Sequence, residues 1–84
     1  MSPVLLHPVM TERASLQAER ENALQFVVDR RATRTDVRRE VEKRFGVKVL
    51  RVRTLISPRG QKKAVVRLGP DHKAEEVLAK IGVF

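Results

Sequence analysis

Apolar and polar residues alternate between two periods along this chain, and each change of period marks an element. Ala23 to Asp29 (ALQFVVD) alternates with a period of two: Leu24, Phe26 and Val28 fall on one face, Ala23, Gln25 and Val27 on the other. That is a strand. From Thr33 the period lengthens. Val37, Val41 and Phe45 recur at i, i+4 and i+8, a narrow stripe that suits a helix laid on a sheet. Thr33 stands three residues before Asp36 in capping-box spacing, and Gly46 supplies a left-handed stop. Val47 to Ile56 returns to strand alternation but changes phase. Val47 and Val49 share one face, Leu50, Val52 and Thr54 the other, which predicts a bulge or bend near 49–50. Ser57-Pro58-Arg59-Gly60 is turn chemistry, and Lys62 to Leu68 forms the return arm of a hairpin.

The ends carry weaker patterns. Pro8 forces an extended approach to Thr11, which can cap a helix through about Gln17. A strand around Val4 to Leu6 precedes it. Near the other end Ala74, Val77, Leu78 and Ile81 repeat at helical spacing. Pro70 or Asp71 is placed to open that helix, Lys80 to meet its dipole, and Gly82 to cap it, with Val83 and Phe84 packing back as an apolar tail. The order (β)-α-β-α-β-β-α predicts an α+β fold: an antiparallel, four-stranded sheet with helices packed on it. With 84 residues, no repeat and no long linker, a single domain over 1–84 is expected.

Charge changes the picture. The net charge is +8, and it is unevenly placed. Residues 1–42 hold seven basic and seven acidic side chains; residues 43–84 hold eleven and three. Between Lys43 and Arg67 nine basic residues occur with no acidic one. A solvated face normally mixes signs, so this run points to a polyanionic partner. Strand alternation puts Arg51 and Arg53 on one face of their strand, and Lys63 and Arg67 on one face of the next. If those faces coincide, four cations line one side of the ribbon. RNA is favoured over DNA because no helix-turn-helix pair or zinc finger is present. Only three aromatics occur, Phe26, Phe45 and Phe84, and two of them sit at core positions, which argues against recognition by aromatic base stacking.

Catalysis finds no support. His7 and His72 have no ligand-spaced partner, and the glycines match no phosphate-loop spacing. Glu40 is better read as an i,i+4 partner of Arg44 than as a general acid. There is no cysteine, hence neither a disulfide nor a thiolate metal site. No cofactor, metal or small-molecule substrate is expected. No apolar run approaches the ~20 residues a membrane span needs, and the first ten residues lack the basic n-region of a signal peptide, so a cytoplasmic location is expected.

Across nearly its whole length the chain resembles the universal ribosomal large-subunit protein twenty-three family in its archaeal form. His7-Pro8 followed by Thr11-Glu12-Arg13 matches a His-Pro and Ser/Thr-Glu-Lys pattern, with arginine for the usual lysine. Leu24 to Asp29, then Arg34 before the Val37…Val41…Phe45 helix, stand in order. Val47 to Thr54 fits a Val-x-Val-x-x-Val-x-Thr strand, with Arg53 where asparagine is common. Lys62-Lys63-Ala64 opens the return strand, and Ile81-Gly82-Val83-Phe84 is similar to the archaeal ending. The resemblance implies an rRNA-binding structural protein at the rim of the polypeptide exit tunnel, beside the large-subunit protein twenty-nine. It implies a docking role for Glu12, which in bacterial relatives meets trigger factor and in an archaeal type would meet the signal recognition particle. An alternative reading of Glu12 is a first-turn carboxylate favoured by the helix dipole. The short connection at about Leu55 to Gln61 departs from the long tunnel-probing loop of bacterial relatives.

The residues expected to meet rRNA are His7 and Arg13, Arg34 and Arg38 on the helix, and Arg51, Arg53, Arg59, Lys62, Lys63 and Arg67 on the ribbon. Two other classes stay open at this stage. One is a free adaptor docking a protein through Val83-Phe84, which would sediment apart from ribosomes. The other is a small hydrolase of ferredoxin-like architecture, which would have to show turnover.

Overall fold

A computed structural model describes residues 3–81; Gly82 and the Val83-Phe84 tail lie outside the described residues. The elements are β1 (Leu5–Pro8), α1 (Glu12–Glu21), β2 (Ala23–Val28), α2 (Arg34–Phe45), β3 (Val49–Ile56), β4 (Lys62–Leu68) and α3 (Ala74–Ile81). The four strands make one antiparallel sheet in the order β1-β2-β4-β3. This is the α+β architecture the alternation predicts, and the strand before the first helix is present.

Leu24, Phe26 and Val28 of β2, Ala64, Val66 and Leu68 of β4, and Val49 of β3 are buried on one face, where Val37 and Val41 of α2 and Ala74, Val77 and Leu78 of α3 close over them. Phe26 stacks on Phe45 with ring centroids 5.9 Å apart. Among the described residues no polar or charged residue is buried, so this core is held by apolar burial at about 25 cal/mol per Å².

The two long helices are stopped and started differently. In α2 the capping box is complete: Thr33 Oγ1 accepts from the Asp36 N–H at 3.1 Å, and Asp36 Oδ2 accepts from the Thr33 N–H at 2.9 Å. Gly46, at φ +64°, ends it and donates to Glu42 O at 3.0 Å. Helix α1 runs one turn past the expected Gln17 and ends on Asn22, a non-glycine residue in the left-handed region at φ +55°. Its carboxamide explains the choice. Asn22 Nδ2 donates to the carbonyls of Leu68, Gly69 and His72 at 3.3, 3.2 and 2.8 Å, and its Oδ1 accepts from the Ala74 N–H at 2.7 Å.

The same contacts correct the expected start of α3. Pro70 and Asp71 form a turn in which the His72 N–H donates to Gly69 O at 3.1 Å, and the helix begins at Ala74. Two of the carbonyls that a helix from Pro70 would use, Gly69 O and His72 O, accept from Asn22 instead.

Candidate nucleic-acid interface

The phase change in β3 is a bulge at Leu50: Val49 pairs with Leu68, and Arg51, not Leu50, pairs with Arg67. Its consequence is chemical. Strict pairing would turn Arg51 and Arg53 toward the apolar core. The inserted residue lets Val49 stay buried while both arginines face away from the helices. Helix α2 secures this point of the edge strand. Arg38 Nη2 donates to Val49 O at 2.8 Å, and Glu42 Oε2 accepts from the Val49 N–H at 3.0 Å.

The faces of the two hairpin arms coincide. Register places Ala23, Arg67 and Arg51 in one cross-strand row, Gln25, Val65 and Arg53 in the next, and His7, Val27, Lys63 and Leu55 in a third. Arg51, Arg53 and Arg67 are exposed, whereas Val27 and Val65 between the cations are buried. Long cationic stems can lie along such apolar surface while keeping their charges in water, and Leu16 and Gln17 of α1 approach Val65 from the side. Arg51 and Arg67 are direct neighbours across the ladder, an arrangement that costs stability for like charges. Among the described residues the only ion pair is Arg44–Glu40, at 3.5 Å on α2, so none of these cations is paired with a described acid.

The other expected contact residues fall around this face in separate groups. Arg34 and Arg38 line a hollow with Leu50 and Arg51, so the basic surface wraps around the β3 edge onto α2. Arg59 is exposed in the turn, where the Gly60 N–H donates to Ser57 O at 2.9 Å and Gly60 takes φ +82°. Lys62 lies on the opposite side of its strand from Lys63 and donates from Nζ to Ala32 O at 2.6 Å, a bond that ties the hairpin to the loop before α2. His7 is exposed on the β1 edge, its Nδ1 3.1 Å from Pro8 O. Glu12 is exposed in the first turn of α1 beside Met10 and Ser15.

Helix α1 adds residues that the sequence did not single out. Its Ala18 belongs to the core, while its Gln17 accepts a hydrogen bond from Gln25 on the open face, so the helix straddles the sheet edge. A broad groove of about 1080 Å³ lies between them, walled by Arg13, Leu16 and Arg20 on the helix and by Arg53, Leu55 and Val65 on the sheet. The additional turn of α1 brings Arg20 and Glu21 to it. No local signal marks this groove, because it exists only once α1 is placed.

Asp36 has a structural part at the head of α2. Hydrogen bonds from the backbone and then the side chain of Thr33 hold the Asp36 carboxyl below its ordinary range. Among the described residues there is no cluster of His, Cys, Asp or Glu fit to hold a metal ion, and no helix is long and apolar enough to cross a membrane.

Comparison with known proteins decides the family. The model of the family described as Ribosomal protein L23 matches residues 3–76. The chain belongs to the ribosomal protein L23 family. It is similar to the Large ribosomal subunit protein uL23 of Methanothermobacter thermautotrophicus, with 46% identity over 81 residues, covering 96% of this chain and 94% of that archaeal relative. A member of this family is a structural, RNA-binding ribosomal protein and not an enzyme, so the hydrolase reading is set aside.

Proposed function

We infer that this chain, acting as a single domain over residues 1–84, binds large-subunit rRNA through the open face of its hairpin and the adjoining start of α2. The observation that carries the reading is the cross-strand alignment of Arg51, Arg53, Lys63 and Arg67, with none of them paired to an acid among the described residues. Arginine suits this task because its planar fork holds a phosphate through two hydrogen bonds. Arg34 and Arg38 extend the surface around the β3 edge, and Arg59 extends it at the turn. Arg38 keeps further donors free after its bond to Val49 O. Lys62 contributes by fixing the hairpin, and its charge remains near the turn. His7 and Arg13 border the surface from the β1 and α1 side.

The ribosome is the place of action: a cytoplasmic, large-subunit position at the rim of the peptide exit tunnel, next to protein twenty-nine. Exposed Glu12 at the start of α1 is the contact offered to a nascent-chain factor such as the signal recognition particle. The hairpin turn, closed by the Ser57 N–H donating to Gln61 O at 2.7 Å, is too short to reach down a tunnel, which favours a rim position over a probing one.

The test is a sucrose gradient of cell lysate at low magnesium, with each fraction probed for this protein. Migration with the large subunit alone is the expected result. A signal confined to the top of the gradient would overturn the ribosomal assignment and favour a free adaptor.

A further inference from the structure

We propose that the groove between α1 and the open sheet face holds one unstacked nucleotide of the bound RNA. This rests on the rRNA reading above and adds to it a site for a base, not only for phosphates. The groove has an apolar floor: Val65 is buried there, and Leu16 and Leu55 keep 42% and 48% of their surface exposed. Set in that floor is the Gln17–Gln25 amide pair. Each carboxamide has two N–H donors and an oxygen with two acceptor positions. The bond between them uses one donor and one acceptor, and the remaining groups are open to a ligand. The rim is cationic on both sides, with Arg13 and Arg20 on the helix and Arg53 and Lys63 on the sheet.

These three properties select the occupant. An apolar peptide would not need four cations around it. An RNA duplex would use the cations but keeps its base faces stacked inside and has nothing to lay on Leu16, Leu55 and Val65. An extruded nucleotide has two apolar faces, a hydrogen-bonding edge and a phosphate on either side, and folded RNA offers such nucleotides at bulges and loops. The scarcity of aromatic residues is no obstacle, because guanidinium planes also stack on bases. The position of the phosphate is also provided for. A second hollow of about 230 Å³ adjoins the groove, shares Arg53 and Val65 with it, and adds Arg51 and Arg67. A base in the groove would place its own or the next phosphate against these three arginines. Among the described residues Glu21 is the only carboxylate lining these spaces, and it borders both.

The experiment measures binding of the full chain to two RNA probes of equal length and charge, a hexauridylate and a hexamer of abasic ribose phosphates. The base-bearing probe is expected to bind about fivefold to tenfold tighter, in line with the worth of one stacked base. Methyl resonances of Val65, Leu16 and Leu55 should shift with that probe alone. Leu16→Gln and Leu55→Thr change no charge and replace exposed side chains on opposite walls, so either one tests the site if the other fails to fold. Each should bring the affinity ratio close to one. A ratio near one in the unaltered protein would overturn the proposal, leave the rRNA reading standing on phosphate contacts, and hand the groove to a protein partner. A ratio unchanged in both variants, or no binding of either hexamer, would also overturn it. Failure of the unaltered chain to bind large-subunit rRNA would remove the reading beneath it as well.

Discussion

The two faces of the sheet are built from the same strands and obey opposite rules. On the helix-covered face the buried side chains are all apolar, with Phe26, Leu24, Val66 and Leu68 sealed from water, and Lys62 at its margin is tied to Ala32 O. On the other face Arg51 and Arg67 stand directly opposite each other, Val27 and Val65 lie between the cations, and no ion pair relieves the repulsion among the described residues. The first face is arranged to stabilise the fold. The second is tolerated by the fold, and under the proposed function a polyanion would relieve its repulsion. The bulge at Leu50 makes the contrast possible, since it lets one strand serve both faces without burying an arginine.

If that division is correct, changes on the two faces should separate binding from stability. The largest effect is expected from Arg51→Glu combined with Arg53→Glu. Losing two charge-assisted contacts at about 1.5–3 kcal/mol each should weaken rRNA affinity by about 3–6 kcal/mol, while circular dichroism stays unchanged. Phe26→Ala should do the reverse, lowering unfolding free energy by about 3–5 kcal/mol in a denaturant titration, with affinity unaltered for the fraction that remains folded.

Asn22→Ala tests a joint between elements. It strips hydrogen bonds from the turn after β4 and from the start of α3, and should cost about 1–3 kcal/mol. Asn22→Gly, which suits the left-handed backbone but also lacks the carboxamide, should recover only part of that loss. Arg51→Thr sharpens the comparison most, because its two readouts have opposite signs. Relieving the Arg51–Arg67 opposition should raise stability by about 0.2–1 kcal/mol while rRNA binding weakens.

The smallest effect concerns acid. The folded-state value of Asp36 is lowered, so its stabilising contribution is present above the unfolded carboxylate value and is lost as pH falls through the lowered one. The stability gap between the natural protein and Asp36→Asn should therefore narrow as a series of melts is taken into acid.

What could be read from the sequence was what local chemistry determines. The Thr33–Asp36 box, the Gly46 cap, the hairpin turn and the alternation of β2 and β4 each depend on neighbours within a few residues. The phase change at 49–50 was visible because a bulge leaves a mark in the pattern. The end of α1 and the start of α3 were misplaced because both are set by Asn22, which reaches residues 46 to 52 positions away. The arginine row was legible for the same reason as the strands. The groove was not, since Leu16, Gln17 and Arg20 read as an ordinary helix surface until α1 is seen to straddle the sheet edge. The standing of Lys62 was hidden too. Its neighbour Lys63 joins the cationic face, while Lys62 turns to Ala32, a carbonyl in a different loop.

The central claim is that one face of the hairpin meets RNA through its phosphates. The most direct test is the affinity for large-subunit rRNA across a salt series, for the natural chain and for a variant with Arg51, Arg53 and Arg67 all changed to Gln. The affinity should fall steeply with salt. The variant should melt no lower, and its log–log slope should be shallower by about 2–3, given a coefficient of roughly 0.7–0.9 per phosphate lost. Equal slopes for the two proteins would contradict the account and move the RNA contact off the open face of the sheet.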